Sequence, residues 1–176
     1  MRLTEMKLAG AYRVELDRHE DDRGFFARGW CRREAAEHGL NMEFVQSNIG
    51  FSPRRGTLRG LHYQLAPHAE VKLVRCTRGA ALDVLVDLRP ASPTHRDWVA
   101  AELTADNHVA LYAPEGVAHG YLTLADDTEI VYDTTAYFAP AEARGVRFDD
   151  PAFGIDWTAP IRVISDRDRT WPDYPG

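Results

Sequence analysis

Glycine, proline and aspartate residues divide this chain into short segments, with a turn signal about every ten residues. Within the segments polar and apolar residues alternate, as they do in β-strands that bury one face. The segments are 11–16, 43–48, 56–64, 71–76, 81–88, 98–103, 108–113, 129–137 and 161–165. Residues 31–40 are typical of a short helix that ends at Gly39 and lies at the periphery. The pattern predicts an all-β fold, an antiparallel sandwich or barrel such as a jelly roll.

Length and charge narrow the class of protein. With 176 residues the chain is expected to form one domain, residues 1–176, with a buried core. A net charge of -6 argues against a general nucleic-acid binder but leaves room for a local basic pocket that holds a phosphorylated ligand. Cys31 and Cys76 are too few for a disulfide scaffold, and neither a signal peptide nor a membrane-spanning run is visible. We therefore expect a soluble cytoplasmic protein that binds neither nucleic acid nor membrane.

The segment GTLRGLHYQ, residues 56–64, concentrates polar chemistry in what would otherwise be a strand. It places a guanidinium (Arg59), an imidazole (His62) and an amide (Gln64) where structural strands use Val, Ile and Leu. Gly60 invites a bulge or a close backbone approach that would aim side chains into a cleft. A polar edge strand with a satisfied histidine fits this segment about equally well when the segment is taken alone.

Three further side chains stand out. Lys72 shares a strand face with apolar residues, so its ammonium would be partly desolvated. His119 follows a tight turn in PEGVAHG, and Tyr132 is predicted to face inward from segment 129–137. His62 is a candidate general base if a carboxylate orients it, and Tyr132 is a candidate acid. Each alone is more simply a packed residue, but together in one small barrel they indicate a site.

A metal centre is the main alternative from the same residues. PEGVAHG resembles the second motif of metal-binding cupins, whose first motif supplies His-x-His followed by a glutamate. The corresponding residues are His62, Gln64 in place of the second histidine, and Glu70, with His119 from the second motif. An amide is a poor ligand for a divalent transition metal, and Lys72 adds positive charge nearby. A metal-dependent dioxygenase or isomerase is therefore the weaker hypothesis.

Eight segments, taken together, resemble a known family. They are DDRGFFARGW, QSN, GTLRGLHYQ, VKLVRCTRGAALDVLVDLRPASPTHRDW, APEGVAHGY, VYDTTAYFAP, RFDDPAFGIDW and SDRD. In these motifs, in their order, the chain resembles the dTDP-4-dehydrorhamnose 3,5-epimerase family of nucleotide-sugar epimerases over nearly its whole length. The resemblance implies a cupin-type antiparallel jelly roll with a few short peripheral helices. It also implies a homodimer that works without metal or other cofactor.

The resemblance assigns roles to individual residues. It implies that His62 is the base, Asp168 its orienting carboxylate, Tyr132 the acid on the other face of the sugar and Lys72 the group that stabilises the enolate oxygen. It implies substrate contacts at Arg23, Phe26, Gln46, Asn48, Arg59, His119, Phe138 and Arg167. Arg59 suits the diphosphate because a guanidinium binds phosphate oxygens in pairs, and Phe138 can stack on the nucleobase where the family often has tyrosine.

Two positions depart from the family pattern. Arg28 and Ala143 stand where glutamate is common, which leaves the nucleotide open between dTDP, GDP and CDP. The predicted reaction is epimerisation at C3, C5 or both of a nucleoside-diphosphate 4-keto-6-deoxy sugar, by acid–base chemistry through an enolate. A binding module for sugar nucleotides without catalysis is a third hypothesis, which the paired acid and base positions argue against.

Overall fold

The computed structural model describes residues 1–175, which form fourteen strands and two short helices. The strands are β1 (Arg2–Glu5), β2 (Tyr12–Glu15), β3 (His19–Asp21), β4 (Gly24–Phe26), β5 (Gln46–Ser52), β6 (Thr57–Gln64), β7 (Lys72–Arg78), β8 (Ala80–Asp87), β9 (Trp98–Thr104), β10 (Ala110–Ala113), β11 (Val117–Thr123), β12 (Thr128–Thr134), β13 (Ala143–Gly145) and β14 (Val163–Ile164). The helices are α1 (Arg32–Glu37) and α2 (Asp166–Arg169). The predicted all-β class with small peripheral helices is confirmed. No helix within residues 1–175 has the length and apolar character needed to span a membrane.

Two antiparallel sheets form the sandwich of a jelly roll. The first has the strand order β1-β2-β10-β7-β12-β5, and the second has the order β13-β6-β11-β8-β9, with β14 parallel to β6. Between them lies a core to which both sheets contribute, including Val74, Leu111 and Ile130 from the first sheet and Leu85 and Leu103 from the second. The large separation in sequence between neighbouring strands means that this core forms only when the whole chain has folded.

The outer faces of both sheets are covered by the parts of the chain that are not strand. Ala35 of α1 and Met42 pack with Leu73 and Tyr112 on the first sheet. The helix is shorter than predicted but stops at the expected place, with Gly39 in the left-handed region at φ +71° just beyond it. On the second sheet, Trp157 and other residues of the C-terminal segment cover β6, β8 and β11. Both sheets are therefore buried on two faces over much of their area.

The strands differ from the predicted segments in several places: β5 covers 46–52 where 43–48 is predicted, and β11, which carries His119, is a strand that was not predicted from the sequence. Asp83 and Asp87 lie on the opposite face of β8 from Val84 and Val86, which is the face that points into the sandwich interior, and both carboxylates are fully buried. Strand β12 ends at Thr134 instead of residue 137, where the Thr134 hydroxyl donates to the carbonyl of residue 136. The residues after it form a loop that borders the site.

Candidate active site

A cleft of about 560 Å³ opens between the two sheets. Ten of the twelve predicted site residues line it: Gln46, Asn48, Arg59, His62, Lys72, His119, Tyr132, Phe138, Arg167 and Asp168. They come from strands of both sheets, from the loop after β12 and from α2. Residues more than 100 positions apart in the chain are thus brought to one place by the fold.

The predicted irregularity at Gly60 is present and shapes the second sheet beside the cleft. Gly60 has φ +112°, and a Cβ there would lie 2.6 Å from Cα of Gly120 and 2.7 Å from the carbonyl oxygen of His119. The pairing of β6 with β11 shifts register between His119 and Tyr121. Any side chain at Gly60 would force the two strands apart, so glycine is required for this close approach. Two residues after Gly60, His62 of β6 lies opposite His119 of β11 in the strand pairing.

His62 is held by Asp168. Its Nε2 lies 2.6 Å from Oδ1 of Asp168, while Oδ2 accepts the Gly60 N–H at 3.2 Å. Burial opposes ionisation of this carboxylate, but the His62 hydrogen bond and charge, with the Gly60 N–H and Ser165, outweigh it and hold the pKa of Asp168 below its ordinary value. An ionised carboxylate accepts hydrogen from Nε2, which leaves the lone pair of neutral His62 on Nδ1. The side chain of His62 is 41% exposed, so the ring is open to the cleft.

Lys72 provides a positive charge near the base. The residue is only 5% exposed, and its Nζ lies 3.1 Å from Oε1 of Glu70 and donates to the backbone carbonyl of His62 at 3.0 Å. An ammonium carries three N–H donors, so one remains for a ligand oxygen after these two contacts. The pair with Glu70 offsets the desolvation that burial imposes on the ammonium.

Tyr132 enters the cleft from the opposite sheet to His62. It lies on β12, paired with Asn48 of β5 and Val74 of β7, and its ring centroid is 6.4 Å from that of His119. Burial, followed by the charge of Glu70, raises the pKa of the phenol against the opposing effect of Arg59. The hydroxyl is therefore protonated at neutral pH, the state required of an acid.

A second histidine–aspartate pair lies deeper in the sandwich. Nε2 of His119 is 2.8 Å from Oδ2 of Asp83, whose side chain is fully buried. The other oxygen of Asp83 has no hydrogen-bond partner among residues 1–175. Asp83 therefore orients the His119 ring from the buried side, away from solvent.

The amides of β5 position the loop that carries Phe138. Oε1 of Gln46 accepts the Phe138 backbone N–H at 3.2 Å, and its Nε2 donates to Oδ1 of Asn48 at 2.9 Å. The Nδ2 of Asn48 is buried and has no partner within the described chain, so it is free to donate to a ligand. Both amides therefore keep hydrogen-bond capacity for a ligand: one N–H of Gln46 and the buried Nδ2 of Asn48.

Two guanidinium groups border the cleft at its outer parts. Arg59 donates to the carbonyl of Phe51 at 3.0 Å and to Oγ of Ser52 at 3.3 Å, which leaves donors for an anion. Arg167 lies over the ring of Trp171 at 5.2 Å from its centroid. Both arginines are therefore oriented by neighbouring groups before any ligand binds.

Arg23 and Phe26 are the two predicted contacts that this chain does not bring to its own cleft. They lie on the β3–β4 hairpin, which pairs with neither large sheet, and Phe26 is 76% exposed. The Arg23 guanidinium binds Asp21 of the same hairpin. Arg28 also lies outside the cleft, in an ion pair with Glu34. Ala143 does line the cleft, so of the two departures only this one bears on a ligand held there.

The proposed ligands of a metal centre are engaged elsewhere. His62 is paired with Asp168 and His119 with Asp83, while Glu70 contacts Lys72. Within residues 1–175 no three His, Cys, Asp or Glu side chains converge in a ligating arrangement. The described residues therefore do not form the ligand set that the metal-centre hypothesis requires.

Some residues of the site were missed from the sequence. Asp83 is not among the site residues predicted from the sequence, and Gln64 has no predicted role beyond an amide in segment 56–64 that replaces a metal ligand. Tyr121, Arg144 and Trp171 were not singled out, although the first two line the cleft and Trp171 packs against Arg167. A signal existed for Asp83, because a carboxylate on the inward face of a buried strand requires a partner. Nothing local distinguished the other three from ordinary surface or core residues.

Comparison with known proteins identifies the family of the chain. The family model described as dTDP-4-dehydrorhamnose 3,5-epimerase matches residues 5–175. A curated dTDP-4-dehydrorhamnose 3,5-epimerase from Sinorhizobium fredii is 46% identical over 157 residues, 86% of this chain and 78% of the relative.

Solved structures agree as well. The crystal structure of the epimerase of that name from Bacillus anthracis, with TDP and PPi bound, superposes with a TM-score of 0.93 at 37% identity, covering 98% of this chain and 99% of the other. A 3′-monoepimerase from Streptomyces bikiniensis in complex with dTDP-quinovose superposes with a TM-score of 0.87 at 35% identity, covering 96% and 85%. The chain belongs to the dTDP-4-dehydrorhamnose 3,5-epimerase family.

Proposed function

We propose that this protein epimerises a dTDP-linked 4-keto-6-deoxy sugar at C3, C5 or both, through an enolate and without a metal. Membership of the family makes it an isomerase that acts on carbohydrates. The observation that carries the mechanism is the arrangement of His62 on β6 and Tyr132 on β12, which line one cleft from opposite sheets. A base and an acid so placed can remove a proton from one face of a sugar and return one to the other.

The first step is removal of a proton from a carbon next to the C4 ketone. Nδ1 of His62 takes it, because Nε2 is bound to the ionised Asp168. Asp168 then stabilises the imidazolium that forms, as well as fixing the orientation of the ring. The electron pair of the broken C–H bond forms a C=C bond to C4, the π pair of the C4 carbonyl moves to its oxygen, and negative charge develops there.

Lys72 lowers the energy of that enolate. Its ammonium is held between Glu70 and the backbone of His62, with one N–H left for the oxygen. Because the charge on the oxygen is present in the enolate but not in the ketone, the interaction favours the intermediate. Tyr132, kept protonated by burial, then delivers a proton to the opposite face and completes the inversion.

Proton exchange with solvent tests this proposal directly. The protein is incubated in deuterated water with dTDP-4-keto-6-deoxyglucose while the C3 and C5 protons are followed by NMR, with His62→Ala as the control. Exchange at both carbons, lost in the control, identifies a 3,5-epimerase, and exchange at one carbon identifies a single-site epimerase. Absence of exchange in a folded protein, with GDP- and CDP-linked sugars tried as well, would overturn the proposal.

The nucleotide is proposed to be thymidine diphosphate. The relatives include proteins solved with TDP or dTDP-quinovose bound, and this chain offers Phe138 to stack on a base and Arg59 for the diphosphate. Ala143 removes an acidic group from the same cleft, so we expect weaker discrimination among nucleotides than Ala143→Glu would give. Calorimetric titration of both proteins with dTDP, CDP and GDP measures this difference; equal selectivity of the two would contradict it.

We further propose a homodimer. The hairpin that carries Arg23 and Phe26 is separate from this chain's cleft, and a second copy could supply both residues. Strand β5 is a sheet edge with Ile49 70% and Phe51 43% exposed, and β1 is the other edge of the same sheet. Exposed apolar residues on free strand edges are typical of surfaces that another chain covers.

Mixed dimers test the arrangement. Arg23→Ala and His62→Ala are each expected to be inactive or weak as pure proteins. When the two are unfolded and refolded together, some dimers combine an intact hairpin with an intact base, and activity returns to about a quarter of the wild type, as random pairing predicts. A monomer by light scattering, or no recovery in the mixture, would contradict the proposal.

The expected cytoplasmic location is retained as a proposal. Its support is the family assignment and the state of both cysteines, Cys31 and Cys76, which are free thiols. Fractionation of the producing cells, with an antibody to the protein, tests it. Recovery of the protein in a secreted or envelope fraction would contradict it.

A further inference from the structure

We propose that Gln64 is a positioning residue that joins the Phe138 loop and the Glu70–Lys72 ion pair into one hydrogen-bonded unit. The inference rests on the proposed function, since it assigns Gln64 a part in the same site. Gln64 lies two residues after His62 on β6, which puts both side chains on the same face of the strand. Metal-binding cupins have the second histidine of His-x-His at this position, whereas this chain has an amide.

The amide of Gln64 is saturated by the protein. The residue is 4% exposed. Its Oε1 accepts the Ala139 N–H at 2.7 Å, and its Nε2 donates to the His68 carbonyl at 2.9 Å, to Oε2 of Glu70 at 3.1 Å and to the Tyr137 carbonyl at 3.3 Å. Two N–H bonds are thus shared among three acceptors, and no donor remains for a ligand. Gln64 therefore acts through other residues and not by touching substrate.

On one side the amide fixes the loop after β12. It binds the backbone of Tyr137 and of Ala139, the two neighbours of Phe138. The Phe138 side chain is 58% exposed, so packing alone does not hold it in place. Its own N–H is bound by Gln46. Removing the amide would free the loop on both sides of the aromatic ring and weaken its stacking on a nucleobase.

On the other side the amide fixes the counter-ion of Lys72. Oε2 of Glu70 accepts from Gln64, and Oε1 lies 3.1 Å from Nζ of Lys72. A largely buried ion pair is favourable only when its remaining lone pairs are satisfied and its geometry is fixed. The hydrogen bond from Gln64 therefore keeps the carboxylate, and with it the ammonium, where the enolate oxygen forms.

Because one side chain binds both the Phe138 loop and Glu70, loss of Gln64 affects substrate binding and chemistry together. Gln64→Leu keeps the approximate volume but removes every hydrogen bond. We expect KM to rise about tenfold, from the loosened Phe138 loop, and kcat to fall about tenfold, from the displaced ion pair. The affinity for dTDP alone is expected to fall by the same factor as KM rises.

Asn107→Leu is the matched control. Asn107 is an amide in the turn after β9 that, like Gln64, holds backbone by several hydrogen bonds, from Thr104 N–H and Val109 N–H and to the Glu102 carbonyl, and it lies outside the cleft. Its loss is expected to lower the melting temperature without changing KM or kcat. If Gln64→Leu, like this control, leaves both KM and kcat unchanged, the proposal is overturned.

Gln64→Glu provides a readout that a merely structural role would not move. Besides Glu70, which pairs with Lys72, the titratable residues next to this amide are His62, two positions earlier on β6, and His68 and Tyr137, whose carbonyls it binds. On the neighbouring strand β13, Arg144 pairs with Tyr63, the residue before Gln64. An ionised carboxyl at position 64 repels Glu70 and donates nothing, whereas a protonated one can donate a single hydrogen bond. Activity relative to wild type is therefore expected to be about tenfold higher near pH 5.5 than near pH 8.

The outcomes separate the two proposals. If the wild-type protein shows no proton exchange, the proposed function fails, and the dTDP affinities of wild type, Gln64→Leu and Asn107→Leu still test the role of Gln64. If exchange occurs but Gln64→Glu follows the pH profile of the wild type, the positioning role fails and the function stands. Should Gln64→Leu not fold, Gln64→Glu alone carries the test.

Discussion

The two histidine–aspartate pairs of this protein have similar bonds and opposite surroundings. Nε2 of His62 lies 2.6 Å from Asp168, and Nε2 of His119 lies 2.8 Å from Asp83. The side chain of His62 is 41% exposed to the cleft, whereas that of His119 is 7% exposed. The first ring can meet a ligand and exchange protons with it, while the second is confined by the core on most sides.

The carboxylates differ in the same way. Asp168 has hydrogen-bond donors for both of its oxygens, including the Gly60 N–H. Asp83 is fully buried, and within residues 1–175 one of its oxygens is unpaired. A histidine–aspartate bond therefore does not define a catalytic pair. Access to the cleft and full satisfaction of the carboxylate distinguish the pair that can carry chemistry from the pair that supports it.

The largest expected effect is loss of activity in His62→Ala. Removing a general base lowers kcat by about 10³-fold, within the range for acid–base catalysis, and we expect little change in urea unfolding because the side chain is half open. His119→Ala is expected to raise KM and to destabilise the fold by about 1–3 kcal/mol, since Asp83 is left without its partner. Steady-state kinetics and urea denaturation of both variants compare the two rings. An equal loss of kcat in both would erase the distinction.

A matched change of the carboxylates sharpens the comparison. Asp168→Ala is expected to lower kcat by about 10²-fold, because His62 loses its orientation and the partner of its imidazolium. Asp83→Ala is expected to lower the free energy of unfolding by about 1–3 kcal/mol, with a smaller effect on kcat, because a buried ring nitrogen loses its acceptor. The same kinetic and unfolding measurements apply. Reversal of the two patterns would show that the buried pair is the catalytic one.

Tyr132→Phe tests the partner of the exposed pair across the cleft. Without the phenol, His62 still removes a proton and exchanges it with solvent, but it returns a deuteron to the face from which the proton came. Net epimerisation is therefore expected to fall about tenfold more than deuterium exchange. NMR measures exchange and product configuration in the same sample. A parallel loss of both would mean that Tyr132 does not act as the acid.

The smallest effect on activity is expected at Asp87, which is a third buried carboxylate and lies on the same face of β8 as Asp83. Burial opposes its ionisation, but hydrogen bonds from Arg89, Ser92 and Thr94 outweigh it and lower the pKa to about 2. A lowered folded-state pKa means that the ionised carboxylate stabilises the fold above about pH 4 and that this stabilisation is lost as pH falls toward about 2.

Asp87→Asn should therefore reduce the free energy of unfolding by about 2 kcal/mol at neutral pH. The difference from wild type should shrink as pH falls from about 4 toward about 2. Urea unfolding over this pH range measures it, and deuterium exchange at neutral pH is expected to be unchanged. A constant difference at every pH would mean that packing, and not charge, accounts for the loss.

Much of the fold could be predicted because its causes are local. Alternation along β2, β7 and β9 reflects the two-residue period of a strand, and Gly39 marks the end of α1 because few other residues adopt its backbone conformation. Ten of the predicted site residues lie together, since the resemblance carried information on positions far apart in the chain. The end of β12 was missed because a side-chain hydrogen bond from Thr134 ends it.

What the sequence by itself determined is the all-β class, many of the strands and the chemical groups available to the site: imidazoles, a phenol, an ammonium and several guanidiniums. Only the tertiary structure decided which groups meet. Pairing of β6 with β11 places His62 opposite His119, and α2, more than 100 residues later, gives His62 its carboxylate. The tertiary structure also places Arg23 and Phe26 outside the cleft, and it gives the Gln64 amide hydrogen bonds to four groups of the protein. Contacts between distant residues depend on the register of strands and on burial, which alternation along one strand does not specify.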